Sequence, residues 1–385
     1  MTSAAGVSHK RTAPEPSDKP RKRRSGRPRP AKSSESSPPP PASEPTPSSS
    51  QPISNGRLTQ LKHFQPSRVW SYSTGCGKWT PLSAPDLDLS LPTSLKLLTY
   101  NTWSSSPDHT PAQTHAILSL LAESRADIIS LQEVSKVFES NLRKQGWVQA
   151  EWVLTSLDEY WRTAGKDGQG KGKKDAKREG VLVMVKKGLW TEECELGFVK
   201  LKRANNEQAK ALVVFRIVRD GNELLRLATS HFSSLPQNSR LRQSQYSVTL
   251  SLLNASPRAS HSILLGDFNA SSSNELDLFS KSLHDVGPSP SKSQLSECPT
   301  RDEKEDLKFR HRPTFGHLYP LVSLDSRKPR KPRRIDRIYV SKGMKCSQYR
   351  EMGGQAIEGE KDRLGKGGRM FPSDHLAVGM WVELG

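Results

Sequence analysis

Six apolar runs in this chain share one habit, and it limits what the chain can fold into. Each sets a residue of catalytic type at one end. SLKLLTY (94–100) is followed by Asn101, and DIISL (127–131) by Gln132 and Glu133. ELLRLATS (223–230) stops at His231, and SILLGDFNA (262–270) delivers Asp267 and Asn269. RIDRIYV (334–340) carries Asp336 near its start, and a last run, 376–382, is preceded by Asp374 and His375. Short apolar runs bounded by turn formers read as buried strands. Rigid sheets present chemistry on strand ends and the loops beyond them. Singly, each residue has a plain explanation: Asn101 a turn cap, Glu133 the partner of a surface lysine, His231 a satisfied core histidine. SILLGDFNA alone reads as a strand ending in an Asx-turn, with Asp267 and Asn269 on one face if the chain stays extended. Six such coincidences are hard to keep independent.

Helical patterns separate the runs. Thr110-Pro111 looks like an N-cap with proline at the first helical position. Ile117, Leu120 and Leu121 then predict an amphipathic helix over 111–124. A second helix is expected over 135–145, with Phe138 and Leu142 inward and Gly146 ending it. Leu241, Val248 and Leu252 predict a helix over 237–254, and Leu276, Phe279 and Leu283 another over 273–284. Residues 148–154 and 180–186 read as strands. Residues 211–218 and 223–230 straddle Asp220-Gly221-Asn222, a hairpin signal. RVWSYSTGCGKWTP (68–81) reads as a hairpin whose aromatics pack it onto the domain. Residues 285–330 are polar and read as a surface excursion.

Composition adds the surroundings. Residues 1–57 are rich in Pro, Ser, Lys and Arg and nearly lack large apolar side chains. Such a segment cannot offset its conformational entropy, so a disordered basic tail is expected ahead of one catalytic domain, 58–385. PRKRRSGRPRPAK (20–32) within it reads as a nuclear localisation signal. Further basic runs lie at 165–178 and 327–334, and the formal net charge is +19. That excess points to a polyanionic partner: nucleic acid, acidic lipid or a phosphorylated substrate. The four cysteines form no CxxC pair, which argues against a zinc site or a disulfide framework. No apolar run approaches membrane-spanning length, and the first residues lack the apolar core of a secretion signal. A monomeric nuclear protein without an obligate protein partner or membrane is expected.

The site residues form a chemical inventory. Glu133 with neighbouring carboxylate and amide oxygens is hard-oxygen ligation, suited to magnesium or manganese. Asp267 would activate water, Asn101 and Asn269 would hold phosphate oxygens, and His231 and His375 would donate to the transition state. Asp336 would orient His375 and favour its imidazolium.

The ordered set YNTW (100–103), LQEV (131–134), TSHFSS (229–234), GDFNA (266–270), RIDRIYVS (334–341) and FPSDHLAV (371–378) resembles the endonuclease/exonuclease/phosphatase superfamily over residues about 94–384. The resemblance implies a four-layer α/β sandwich with two central mixed β-sheets. Within it TSHFSS, RIDRIYVS and the Gly-rich lead-in to Arg369 and FPSDH are most similar to the 5′-tyrosyl-DNA phosphodiesterases. Those enzymes cut the bond between a topoisomerase tyrosine and a DNA 5′ end. The resemblance implies Asn101, His231, Ser233, Asn269 and His375 at the scissile phosphate, and Asp267 as acid/base. It also implies Glu133 as magnesium ligand, with Asp336 and Asp374 as orienting carboxylates; Asp374 is also the second acidic candidate for the metal, for which manganese could substitute. Deadenylases and abasic-site endonucleases share parts of the pattern, and a non-catalytic nucleic-acid-binding module is the reading from another class. Trp103 stands where the family commonly has a carboxylate. Ser271, Ser272 and Ser273 stand where it usually has a basic residue.

Overall fold

The apolar runs become strands, and their register decides where the chemistry lies. The computed structural model describes residues 64–82, 92–164, 178–191, 194–203, 210–219, 222–255, 259–289, 312–315, 332–360 and 369–384. The expected tail with its basic cluster at 20–32, most of the basic runs at 165–178 and 327–334, and the Asp220-Gly221 turn lie outside these residues.

In chain order the strands are β1 (Phe64–Pro66), β2 (Trp70–Ser73), β3 (Lys78–Pro81), β4 (Ser94–Asn101), β5 (Ile128–Val134), β6 (Trp152–Leu154), β7 (Gly180–Lys186), β8 (Glu195–Leu201), β9 (Lys210–Arg219), β10 (Asn222–His231), β11 (His261–Asp267), β12 (Leu283–Asp285), β13 (Asp336–Ser341), β14 (Cys346–Met352) and β15 (Ala377–Glu383). The helices are α1 (Pro111–Ser124), α2 (Lys136–Arg143), α3 (Gly146–Glu151), α4 (Leu157–Ala164), α5 (Ser239–Leu253) and α6 (Asp277–Ser280).

One sheet runs β1-β8-β9-β10-β11-β13-β12 and the other β14-β15-β4-β5-β7-β6-β2-β3. Each holds one parallel pair, β10/β11 and β4/β5, among antiparallel neighbours, so both are mixed. Their inner faces share a core in which Leu97, Ile128 and Val183 meet Val213, Leu227 and Ile263. Helices α5 and α6 cover one outer face through Tyr246 and Phe279, and α1 and α2 the other through Ile117, Leu121 and Phe138. This is the four-layer α/β sandwich with two central mixed β-sheets. α1 starts as its sequence indicates, with Thr110 and Gln113 forming a reciprocal capping box ahead of Pro111.

Several expectations fail for local reasons. Residues 148–154 are not one strand: α3 covers Gly146–Glu151, and only Trp152–Leu154 pair. Trp147 packs edge-on against Trp152 at 6.1 Å, five residues on, a spacing that a straight strand would send to opposite faces. Gly146 therefore opens a helix rather than ending one. Residues 273–284 break into a short 3₁₀ turn (Ser273–Glu275), α6 and β12, because Leu283 pairs with Ser341 of β13. The helix expected over 237–254 forms as α5 with Leu252 buried, but Val248 is 42% exposed, and Arg242, Gln245, Tyr246 and Thr249 share the buried face. The surface excursion at 285–330 holds an exception: Thr314 is fully buried and Phe315 bridges to both Arg333 and His375.

Candidate active site

The site forms where the ends of both parallel pairs meet. Parallel strands bring their C-terminal ends to one edge, where open α/β sheets present ligands. In the first sheet His231 of β10 is in register with Asp267 of β11, and Asp267 with Asp336, the first residue of antiparallel β13. In the second sheet Asn101 closes β4 beside Gln132 of β5, and Glu133 follows at an irregularity in the β5/β7 pairing. That bulge re-aims one side chain, and Glu133 has φ 53°. Trp103 (φ 51°) and Asn269 (φ 50°) adopt the same left-handed conformation. Non-glycine residues held there carry strain that surrounding contacts must maintain, and such strain gathers at functional sites. Gly266 has φ 138°, and a Cβ there would stand 2.2 Å from the Ser230 carbonyl oxygen, so no other residue lets β10 and β11 approach so closely.

Asn101 ties the sheets together. Its Nδ2 donates to Glu133 Oε1 and to Asp267 Oδ2, each at 3.0 Å. Its Oδ1 accepts the Trp103 amide at 3.0 Å. Asn269 is not carried to the site by extended chain. Its N–H donates to Asp267 Oδ1 at 2.8 Å in an Asx-turn, and its Nδ2 donates to the Phe232 carbonyl at 3.1 Å. The turn and the chemical cluster therefore coexist. His375 Nδ1 lies 2.8 Å from Asp336 Oδ2. His375 Nε2 lies 4.0 Å from Asp267 and 3.8 Å from Asp374 Oδ1. His231 Nε2 lies 3.7 Å from Asp267 and 3.8 Å from Glu133. Ser233 is buried, and its hydroxyl accepts from Gln245 of α5 at 3.0 Å, so its contacts are with the helix.

Four groups join the site that the strand-end pattern does not reveal. Glu179 accepts from Ser105 at 3.1 Å, and Ser105 also donates to Glu133 at 3.3 Å. Lys210 Nζ lies 3.3 Å from both Glu179 Oε1 and His231 Nδ1. Glu179 and Lys210 stand at the starts of β7 and β9, which run antiparallel to β5 and β10 and so begin where those strands end. Looking at starts of antiparallel neighbours as well as ends would have found them. Thr314 Oγ1 accepts the amides of Ile335 and Asp336 at 3.2 and 3.1 Å and fixes the strand start that bears Asp336.

Crowded carboxylates set the electrostatics. Burial, then Glu179 and Asp374, push Glu133 up to about 8. Burial, then Asp336, push Asp267 up to about 7. Burial alone would lower His375, but Asp336 and Asp374 hold it well above the usual imidazole value. Burial and the Lys210 charge hold His231 well below it. Glu133, Glu179 and His231 offer ligand atoms within 4.8 Å of one another, as do Asp267, Asp336 and His375. Asp336 Oδ1 is buried without a hydrogen-bond partner among the described residues. Mutually repelling carboxylates without thiolates fit a hard divalent cation of the magnesium or manganese type.

The family model described as Endonuclease/Exonuclease/phosphatase family matches residues 98–375. No curated protein matches the chain. The crystal structure of D. rerio TDP2 complexed with single strand DNA product aligns with TM-score 0.51 and 16% identity, covering 76% of this chain and 100% of that one. TDP2 from C. elegans aligns with TM-score 0.51 and 16% identity, covering 77% of each chain. At that identity the likeness is one of fold.

Proposed function

The chain belongs to the endonuclease/exonuclease/phosphatase family, whose members are metal-dependent hydrolases of phosphoric esters, and on that premise we propose that it is a magnesium-dependent phosphodiesterase acting at DNA 5′ ends, on 5′-phosphotyrosyl adducts. The carrying observation is the convergence of Asn101, Glu133, His231, Asp267, Asp336 and His375 from two sheets on one point. Binding alone needs none of these groups gathered at one point. DNA rather than another ester is supported by the sequence likeness of TSHFSS, RIDRIYVS and FPSDH and by the basic excess of the chain. The basic cluster at 20–32 supports action in the nucleus, in DNA repair.

Glu133 and Asp374 would hold the magnesium ion, which when bound supplies a positive charge that polarises the phosphate and offsets charge on the leaving oxygen. Asp267 accepts a proton from the attacking water, and its value near neutrality suits a base. Asn101 keeps that carboxylate aimed, and the Asn269 amide donates to its other oxygen. His375, held by Asp336, and His231 present donors to the phosphate oxygens as negative charge develops. Water attack breaks the bond between phosphorus and the tyrosyl oxygen, leaving a 5′-phosphate and free tyrosine.

A panel of 5′-phosphotyrosyl oligonucleotide, abasic duplex and poly(A) RNA, each with and without magnesium, tests the reading. Tyrosine release with magnesium is expected. Cleavage of one of the other two alone would reassign the substrate within the family.

A further inference from the structure

The far end of the second sheet carries charge that its own contacts leave unused. β4 runs from this end to Asn101, so Lys96 lies about 17 Å from the catalytic edge, five strand residues away. Beyond the cover of α1, Lys96 stands beside Trp381 of β15, its Nζ 5.5 Å from the ring centroid. Arg350 of β14 shares that face. It lies two residues from Met352, which packs with Leu98 under α1, and Leu98 lies two residues from Lys96. Arg125 ends α1, and Asp127 follows it, with its amide donating to the Lys96 carbonyl at 2.7 Å. Lys186 closes β7 and places its Nζ 3.3 Å from Asp127 Oδ1.

Four cations therefore gather around one carboxylate, and that carboxylate is engaged: its Oδ2 accepts the Lys96 amide at 2.8 Å. Arg125 and Arg350 are exposed, and neither guanidinium has a hydrogen bond or ion pair among the described residues. Trp381 is partly exposed as well. Burial, then the Arg350 charge, hold the Lys96 ammonium below its usual value, and Asp127 does not offset them. A cation at a helix C-terminus is favoured by the helix dipole, which accounts for Arg125 alone. Arg125 also takes φ 50° and ψ 31°, the left-handed cap conformation that glycine usually supplies. Such strain beside like charges gathers where a function maintains it.

We propose that this surface binds a single-stranded nucleic acid, with Arg125 and Arg350 on backbone phosphates and Trp381 against a base. A guanidinium edge meets phosphate oxygens two at a time, and both guanidiniums here are open to solvent. An indole set between cations suits a strand whose bases are free to stack. An acidic peptide would satisfy the cations but leave the ring without a role, and a duplex keeps its bases stacked on one another. The surface uses none of the catalytic groups, so it does not rest on the proposed reaction.

The test uses the full-length protein in chelator, so that nothing is cut. Binding of a labelled single-stranded oligonucleotide is followed by anisotropy across salt. Arg125→Gln with Arg350→Gln is expected to weaken it severalfold and to flatten the log–log salt dependence by about 1.4, two phosphate contacts at about 0.7 each. Lys281→Gln with Lys342→Gln removes the same charge from exposed positions beside β12 and β13, and should leave that slope nearly unchanged. An oligonucleotide carrying iodouracil is expected to photo-cross-link to Trp381. Equal slopes in the two double variants, or no cross-link to Trp381, would overturn the proposal. So would loss of poly-L-glutamate binding in Arg125→Gln with Arg350→Gln while oligonucleotide binding stays at the wild-type level, a result that assigns the surface to an acidic peptide. Hydrolysis of bis(p-nitrophenyl) phosphate with magnesium, a substrate too small to span both places, is expected to stay unchanged in both double variants. If the wild type fails to hydrolyse it, the proposed function fails while the nucleic-acid surface stands.

Discussion

Asn101 Nδ2 divides its two hydrogens between Glu133 of one sheet and Asp267 of the other, at 3.0 Å each. The amide holds apart two carboxylates that burial and mutual charge disfavour, and it sets the distance between the metal-binding edge and the base. Asn101→Ala is expected to lower kcat/KM by about a hundredfold or more, the usual cost of one lost preorganised donor. Asn101→Asp should be worse, because a third carboxylate replaces the donor. Kinetics on the phosphotyrosyl oligonucleotide, with circular dichroism to confirm folding, decides it; near-wild-type turnover in Asn101→Ala would remove Asn101 from the machinery.

Metal dependence follows from the crowded carboxylates. Chelation is expected to abolish hydrolysis, and magnesium to restore it. Independently of activity, magnesium should raise the melting temperature of the wild type, because a ligand that binds only the folded state stabilises it. Glu133→Gln should lose most of that rise. A magnesium-dependent rise that persists in Glu133→Gln would place the ion elsewhere.

The residues that the two sheets bring together were legible because each stands at one end of an apolar run, a signal that needs no knowledge of which strands pair. Pairing is what the sequence hides. Glu179 and Lys210 sit at strand starts and become neighbours of Glu133 and His231 only through antiparallel register. β8 went unread although its run ELGFVKL is apolar, and the polar inward face of α5 went unread because burial there is satisfied by hydrogen bonds rather than hydrophobicity. Thr314 was hidden within a polar stretch, since nothing local marks a threonine that caps a distant strand.

Arg242 on α5 joins the two loops that carry His231 and Asp267 onward. Fully buried, it donates to the carbonyls of Ser233 and Leu235 at 3.0 and 2.7 Å and to Ser271 Oγ at 3.1 Å, and it pairs with Glu275 at 2.7 and 3.0 Å. Arg242→Met should therefore cost about 3–5 kcal/mol, the penalty of stranding a buried charge. Arg242→Met with Glu275→Leu should recover part of the stability but not the loop geometry, so kcat should stay low. Urea unfolding and kcat on both variants separate the effects; recovery of both together would make Arg242 a purely structural residue.

Asp285, which accepts from both Arg334 and Arg337, gives a pH test of this ion-paired cluster. Burial pushes its carboxyl up, but Arg337 and Arg334 outweigh that and hold it below the usual carboxylate range. Unfolded, it titrates near ~4. Above that pH it is charged in both states, and its full stabilising contribution is present. As pH falls below about 4 the unfolded chain takes up the proton first, and the contribution is lost as pH drops through the lower folded value. Asp285→Asn leaves two guanidiniums facing each other and should cost about 3–5 kcal/mol at neutral pH. The gap in unfolding free energy between wild type and Asp285→Asn should hold constant from about pH 5 to 8 and narrow only below about pH 4. A gap that closes between about pH 6 and 8 would mean that a histidine, not this carboxylate, governs the pair.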